Sequence, residues 1–175
     1  MVNEAKGRAV DHIDMLREQW ARELPDLDTE AVAILGRARR ITLYVRQSIE
    51  AVFARHGLDA GEFDVLATLR RAGPPYCLTP TDLYRTLMIS SGGLTDRLSR
   101  LEVAGLVRRR PAQADKRSLL VELTEQGREP TENALREDMA LELALIAGLS
   151  ASERRQLADL LRKLAISLPA DAPLP

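Results

Sequence analysis

Basic side chains are concentrated near the middle of the sequence, where they could bind a polyanion. The segment from residue 85 to residue 118 contains eight Arg or Lys and three Asp or Glu, a local charge of +5. The whole chain has a formal charge of −1, so the rest of it carries −6. Because neutralising phosphates requires only a local basic patch, this asymmetry favours a nucleic-acid surface with acidic flanks. A solvated charged face is the alternative that charge alone leaves open.

Small polar residues stand beside these basic side chains. Hydroxyl groups and free amides at the start of a helix donate hydrogen bonds to phosphates and base edges, whereas bulky side chains there would hold the helix away. We therefore expect double-stranded DNA as the partner. The residues predicted to contact it are Thr79, Thr81, Ser90, Ser91, Gly92, Thr95, Ser99, Arg100, Arg110, Lys116 and Arg117.

The sequence carries no pattern typical of an enzyme or a metal site. His12, His56 and Cys77 do not have the spacing of metal ligands. The glycine-containing run at residues 90–93 lacks the lysine and the preceding strand of a phosphate-binding loop, and no G-x-S-x-G or H-E-x-x-H occurs. As the only cysteine, Cys77 cannot form an intrachain disulfide, and core packing is favoured for it over redox sensing. We expect no enzymatic activity, no metal and no cofactor.

Length and composition are those of a folded protein. A chain of 175 residues with 45% hydrophobic residues can bury the core of one domain with appended helices. No charged and then apolar N-terminal segment reads as a signal peptide, and no run is long and apolar enough to span a membrane. These features predict a soluble, cytoplasmic protein without a membrane partner.

Helical patterns occupy the first third of the chain. Asp11 and Asp14 have the spacing of a helix cap, and the apolar stripe that follows ends at Pro25. A long helix is predicted over residues 29–57, where the final glycine ends it.

The basic residues lie in a segment predicted to form three helices and two strands. We expect three helices, capped by Asp59, Thr79 and Ser90 in turn. Strands over residues 106–110 and 119–123 would then form a hairpin with a basic tip. A helix, a short helix, another helix and a basic hairpin follow the order of a winged helix-turn-helix, in which the helix from Ser90 is the recognition helix. The fold class is therefore mainly α with a small β-hairpin wing.

Two more helices are predicted after the hairpin. Thr124 caps the first, which extends to about residue 147 and should kink at Pro130, a residue without a backbone donor. Ser150 caps the last helix together with Glu153, and the chain beyond residue 168 should fray.

The run ISSGGLTDRLSRLEVAGLVRRRPAQADKRSLLVELTEQGR resembles the recognition helix, wing and following helix cap of the MarR family of regulators. The similarity extends over about residues 29–167, and its most specific part is Asp115-Lys116-Arg117-Ser118, which is similar to the family's D-x-R-[SG] wing motif. The resemblance implies that Asp115 stabilises the wing and that Arg117 enters the minor groove. A narrow minor groove attracts a guanidinium electrostatically, so that role is physically reasonable.

The resemblance also implies a homodimer formed through the terminal helices. Many apolar residues there exceed what one domain would bury: Leu141, Leu143, Leu145, Ile146, Leu149, Leu160 and Leu164. A dimer would present two recognition helices to half-sites about one DNA turn apart, so a pseudo-palindromic operator is expected. The predicted regions are an extra helix over 1–28, a dimerisation region over 29–57 and 124–168, a DNA-binding domain over 58–123 and a tail over 169–175.

The extra N-terminal helix with its tryptophan resembles the urate-responsive branch of the family. In that branch a tryptophan, an aspartate and two arginines hold the ligand, and the matching positions are Trp20, Asp64, Arg97 and Arg109. An anionic, planar, urate-like molecule would pair with Arg97 and shift the recognition helix. The alternatives are structural: Trp20 as a helix anchor, Asp64 as a surface or ion-pair residue, and Arg109 as a phosphate contact.

The predicted function is that of a sequence-specific transcriptional regulator, a repressor released from its operator by a small anionic ligand. The family resemblance favours repression over activation, whereas the sequence itself does not give the sign. A winged-helix module that binds an acidic protein partner without ligand sensing is the main alternative. An enzyme of the same size is the weaker one, because the catalytic patterns are missing.

Overall fold

The computed structural model describes residues 9–87, 93–111 and 119–168. The chain folds into two compact units, Met1–Gln47 and Ser48–Pro175. Within the described ranges none of the helices is long and apolar enough to cross a membrane.

The first unit begins with helix α1 (His12–Glu23), which has the predicted capping box. The Asp11 carboxylate accepts from the amide of Asp14 at 2.9 Å, and the Asp14 carboxylate accepts from the amide of Asp11 at 3.2 Å. Both carboxylates also pair with Arg37, which holds the pKa of the Asp11 carboxyl at about 2. Ile13 is the buried residue of α1, whereas Trp20, predicted on the same apolar stripe, is 46% exposed.

The second helical segment differs from the regular helix that the sequence predicts. A π-helical turn, Val32–Gly36, precedes helix α2 (Arg37–Arg55), within which the boundary between the two units falls. A Cβ built at Gly36 would lie 3.2 Å from Ile13 and 3.3 Å from Val32. The missing side chain at Gly36 therefore permits close packing of α1 on the π-helical turn.

The second unit contains the three helices predicted for DNA binding: α3 (Ala60–Arg71), α4 (Pro80–Thr86) and α5 (Leu94–Val103). Asp59 and Thr79 cap α3 and α4 as predicted. The prediction that Ser90 caps α5 is wrong, because the N-cap position of α5 is Gly93. Gly93 has a φ of 76°, a left-handed conformation that glycine adopts without a steric penalty.

The described strands form one antiparallel sheet in the order β1 (Cys77–Leu78), β3 (Leu119–Leu123) and β2 (Val107–Pro111). In the β2–β3 pair, Arg108 lies opposite Glu122. Cys77 also lies opposite Glu122, in the β1–β3 pair. The predicted hairpin is therefore confirmed, with a third short strand beside it.

Two long helices complete the chain: α6 (Glu125–Leu145) and α7 (Ala151–Ser167). Thr124 and Ser150 cap them as predicted, and α6 includes Pro130. None of residues 151–167, all of which the structure describes, is buried.

The core of the second unit lies between α3, α5, α6 and the sheet. The rings of Phe53 and Phe63 stack at 4.0 Å between centroids. Leu141, one of the apolar residues of the last two helices, is partly buried and packs against this core. The fully buried large apolar side chains are Leu66, Leu69, Leu83, Leu101, Val52, Val65, Val107 and Val121.

Candidate nucleic-acid interface

A surface cleft of about 440 Å³ lies between the starts of α4 and α5. Two threonines and one aspartate supply polar groups to a lining that is otherwise mostly apolar: Pro80, Thr81, Tyr84, Gly93, Leu94, Thr95 and Asp96. Two of these residues, Thr81 and Thr95, are predicted DNA contacts, and both are exposed. Residues from both helices of the helix-turn-helix therefore share one accessible surface.

Thr79, a predicted DNA contact, is the N-cap of α4. Its hydroxyl accepts from the amide of Asp82 at 3.1 Å and donates to the Asp82 carboxylate at 2.7 Å. The exposed hydroxyl of Ser99 donates to the carbonyl of Thr95 at 3.0 Å, one turn earlier on α5. Both hydroxyls are thus oriented by the backbone of the helices that carry them.

Arg100 also has partners within the fold. Its Nε donates to Glu62 at 2.6 Å, and its Nη2 donates to Asp59 at 2.8 Å. The hydrogen bond that Arg100 donates to Glu62 is the main reason that the pKa of the Arg100 guanidinium is raised. The sequence predicted Arg100 as a DNA contact and did not foresee this ion pair.

The strands of the wing carry a second charged cluster around Glu122. Arg108 donates to one carboxylate oxygen of Glu122 at 2.7 Å, and Arg110 donates to the other. These two arginines hold the pKa of the Glu122 carboxyl below its usual value. Nη2 of Arg110 also lies 3.7 Å from the Cys77 sulfur. Arg110, a predicted DNA contact, is therefore held at the base of the wing.

Several predicted residues of the DNA interface, including the wing-stabilising aspartate, lie outside the described residues. They are Ser90, Ser91 and Gly92 before α5, and Asp115, Lys116 and Arg117 in the wing loop.

The four residues predicted to bind a ligand are distributed over both units. Trp20 belongs to the first unit, and the other three belong to the second. Asp64 is 7% exposed, and its Oδ1 lies 3.9 Å from Nη1 of Arg71. A Cβ built at Gly61, three residues before Asp64, would lie 2.3 Å from Nε of Arg97. The fold therefore brings Arg97 against the helix that carries the buried carboxylate.

Arg109 lies on another side of α5. Its Nη2 is 3.4 Å from the hydroxyl of Ser99, and its Nε is 3.6 Å from Glu102. At about 100° per residue, Ser99 and Glu102 stand roughly 200° and 140° around the helix from Arg97. The contacts of Arg109 are thus on the face of α5 away from Arg97.

Two features of this surface escaped the sequence analysis. Tyr84 is exposed and lines the cleft, and its spacing of three residues from Thr81 on one helix could have indicated this. The pairing of Arg100 with the capping box of α3 could not be read from spacing, because it joins residues about forty positions apart in the chain.

Comparison with known proteins adds independent observations. A model described as MarR family matches residues 56–118. The HTH-type transcriptional regulator PecS of Dickeya dadantii is 38% identical over 147 residues, which cover 84% of this chain and 89% of that protein. The multiple antibiotic resistance protein MarR of Salmonella typhimurium is 37% identical over 61% of this chain and 73% of its own length.

Solved structures show the same fold. A mutant of MarR from E. coli, crystallised with operator DNA, superposes with a TM-score of 0.65 at 30% identity and covers 86% of this chain and 98% of its own. AbsC, a MarR family transcriptional regulator from Streptomyces coelicolor, superposes with a TM-score of 0.69 at 23% identity over 79% of this chain and 95% of its own. PecS and AbsC are transcriptional regulators and not enzymes, in agreement with the sequence prediction.

Proposed function

This chain belongs to the MarR family of DNA-binding transcriptional regulators, and we propose that it is a homodimeric repressor that a small anionic ligand releases from its operator. The observation that carries DNA binding is the exposed cleft between α4 and α5, with Thr81 and Thr95 on its lining. A relative with the same fold was crystallised with operator DNA. A cytoplasmic location goes with this proposal, because the DNA to be bound is there.

DNA contacts divide into two kinds in this proposal. Hydroxyl donors on the two helices read base edges and phosphates: Thr79, Thr81, Ser90, Ser91, Thr95 and Ser99, with Gly92 allowing close approach. On the wing, Lys116 and Arg117 supply positive charge and Asp115 stabilises the loop, whereas Arg110 contacts DNA while its Nε stays paired with Glu122. Arg117→Ala should therefore weaken binding to every sequence and flatten the salt dependence by about one unit.

A homodimer is supported by the exposed apolar side chains of the last two helices. The side chains concerned are Leu135, Met139, Leu143, Ile146, Leu157, Leu160, Leu161, Leu164 and Ile166. So many large apolar side chains exposed on two helices favour an interface over a solvated face. Two-fold symmetry of the dimer then requires a pseudo-palindromic operator.

Ligand control is supported by the position of Arg97. It lies on the recognition helix and packs against α3 at Gly61, close in sequence to the buried Asp64. An anionic, planar, urate-like ligand that pairs with Arg97 would compete with its contacts in the fold and shift α5. Trp20 and Arg109 belong to the ligand set that the family resemblance implies, whereas the support from the fold concerns Arg97 and Asp64.

A gel-shift titration of the protein with its own upstream intergenic DNA, with and without urate at fixed moderate salt, tests the proposal. Selective binding that urate releases supports both the regulator and the ligand site. Binding without release removes urate as the ligand. If a random-sequence pool also yields no selected duplex, the proposed DNA binding is wrong, and the protein-interaction module becomes the better hypothesis.

The ligand site has a separate test. Arg97→Ala should give a folded protein that binds DNA but responds less to ligand. An absence of heat on titration with urate, xanthine and aromatic carboxylates would contradict a site for planar anions.

A further inference from the structure

Two arginines of the recognition helix meet the first turn of α3. Arg97 passes so close to Gly61 that a Cβ there would lie 2.3 Å from its Nε. Arg100, three residues later and so on the same side of α5, contacts both capping residues of α3, Asp59 and Glu62. The recognition helix is therefore held against residues 59–62 at two successive points.

Both carboxylates of the capping box accept hydrogen bonds from a backbone amide and from Arg100. Asp59 Oδ1 accepts from the amide of Glu62 at 2.7 Å, and Asp59 Oδ2 accepts from Arg100 at 2.8 Å. Glu62 Oε2 accepts from the amide of Asp59 at 3.0 Å, and Glu62 Oε1 accepts from Arg100 at 2.6 Å. One oxygen of each carboxylate caps the helix, and the other binds the same guanidinium.

The two donors of Arg100 are Nε and Nη2, which form one rigid edge of the guanidinium. With this edge bound to two carboxylates, the charge of Arg100 is balanced by the protein's own side chains, although the arginine side chain itself is 53% exposed. Thr95 and Ser99 stand roughly 140° and 100° around α5 from Arg100. The face of α5 proposed to meet DNA is thus a different one from the face that Arg100 occupies.

We propose that Arg100 is a positioning residue of the DNA interface and not a phosphate contact: it fastens the recognition helix to the capping box of α3. This inference rests on the proposed DNA binding. Because α3 carries the fully buried Val65, Leu66 and Leu69, its first turn is a fixed reference for the orientation of α5. Arg100 thereby sets where Thr95 and Ser99 meet the groove.

Glu62→Gln distinguishes a positioning role of Arg100 from a phosphate contact, because the two roles predict different changes in DNA affinity. Glutamine preserves the capping box but removes the charge that binds Arg100. If Arg100 positions α5, this variant weakens specific binding about tenfold, the size of losing one good base contact, with no change in salt dependence. If Arg100 contacts phosphate, the same variant frees the guanidinium, and binding is unchanged or tighter.

Variants of Arg100 itself give the second test. Arg100→Ala and Arg100→Lys should both weaken specific binding about tenfold, since lysine keeps the charge but lacks the rigid two-donor edge. The slope of log affinity against log salt should stay as in the wild type. A phosphate contact would instead be restored by lysine and would flatten the slope by about one in Arg100→Ala. Arg136→Ala, an exposed arginine of α6, is the matched control and should bind as the wild type does.

The probe is a duplex that the wild-type protein selects from a random-sequence pool, with its scrambled counterpart for non-specific binding. Positioning predicts that affinity falls for the selected duplex alone. An equal loss on both duplexes, with reduced helicity in circular dichroism, would indicate misfolding and overturn the proposal. If the wild type selects no duplex, the proposed function itself fails. If it selects one and Glu62→Gln does not weaken binding to it, only the role of Arg100 is wrong.

Discussion

Helices α3 and α7 both begin with a capping box, but α3 is largely buried and α7 is exposed. Asp59 with Glu62 and Ser150 with Glu153 each form a capping box, and both helices carry an apolar stripe. Eight of the twelve residues of α3 are buried, whereas none of those in α7, which the structure describes completely, is buried. A cap and an apolar stripe are therefore enough to start a helix, but its apolar side becomes buried only where another surface packs against it.

Leu66→Ala should have the largest effect, because Leu66 is a fully buried residue of α3. Removing its side chain should lower the free energy of unfolding by about 2–5 kcal/mol through lost burial and the remaining cavity. Urea denaturation of the purified protein measures this. Val103→Ala, at a position 92% exposed, is the control and should stay within about 0.5 kcal/mol of the wild type.

Leu160→Glu tests the proposal that a second copy covers α7. A carboxylate on the exposed apolar stripe should weaken dimerisation by at least about 2 kcal/mol, the size of an interface hot spot. Sedimentation equilibrium gives the dissociation constant. Arg155→Glu introduces the same side chain about 140° around the helix from Leu160, and this control should leave the dimer intact. If both variants behave as the wild type does, α7 is not the interface.

Asp138 is a buried carboxyl group on α6, the helix that precedes α7, and its protonation should make stability depend on pH. It is 5% exposed, and its Oδ1 has no hydrogen-bond partner among the described residues. Burial, with a smaller contribution from Glu142, raises the pKa of the Asp138 carboxyl from 3.8 to about 6. Between these values the folded state binds more protons than the unfolded state, so this group contributes less stability as the pH rises through the window.

Asp138→Asn should therefore be more stable than the wild type at pH 7, by on the order of 1–3 kcal/mol, with a difference that shrinks towards pH 4. Thermal unfolding followed across this range measures the difference. Glu142→Gln should narrow the window, because it removes the second cause of the shift. A constant difference between Asp138→Asn and the wild type at every pH would contradict a titrating buried carboxyl.

Ser150→Ala should have the smallest effect, about 1 kcal/mol, because it removes only the cap of α7. Ser150→Asp keeps an acceptor at the N-cap and should restore stability in the same denaturation experiment. The corresponding change in α3, Asp59→Ala, should cost more, since Asp59 also binds Arg100. Equal losses at the two caps would mean that this ion pair contributes no stability.

Much of the fold followed from local patterns in the sequence. The pairs Asp11 with Asp14 and Ser150 with Glu153 predicted where α1 and α7 begin, because capping depends on side chains three residues apart. The start of α5 was wrong by three residues, because a left-handed glycine, and not a serine side chain, stands at its N-cap. The π-helical turn before α2 had no local signal, since it accompanies the packing of Ile13 at Gly36.

Local sequence was sufficient for the caps of α1, α3, α4, α6 and α7 and for the two paired strands of the wing, since each depends on neighbours within a few residues. Which charged groups pair depends instead on tertiary packing: Arg100 with the cap of α3, Arg110 with Glu122, and Arg109 with Glu102. Tertiary packing also decided that Trp20 stays half exposed while Asp64 is buried. Ion pairs and burial depend on distances between residues far apart in the chain, and those distances exist only once the helices have packed.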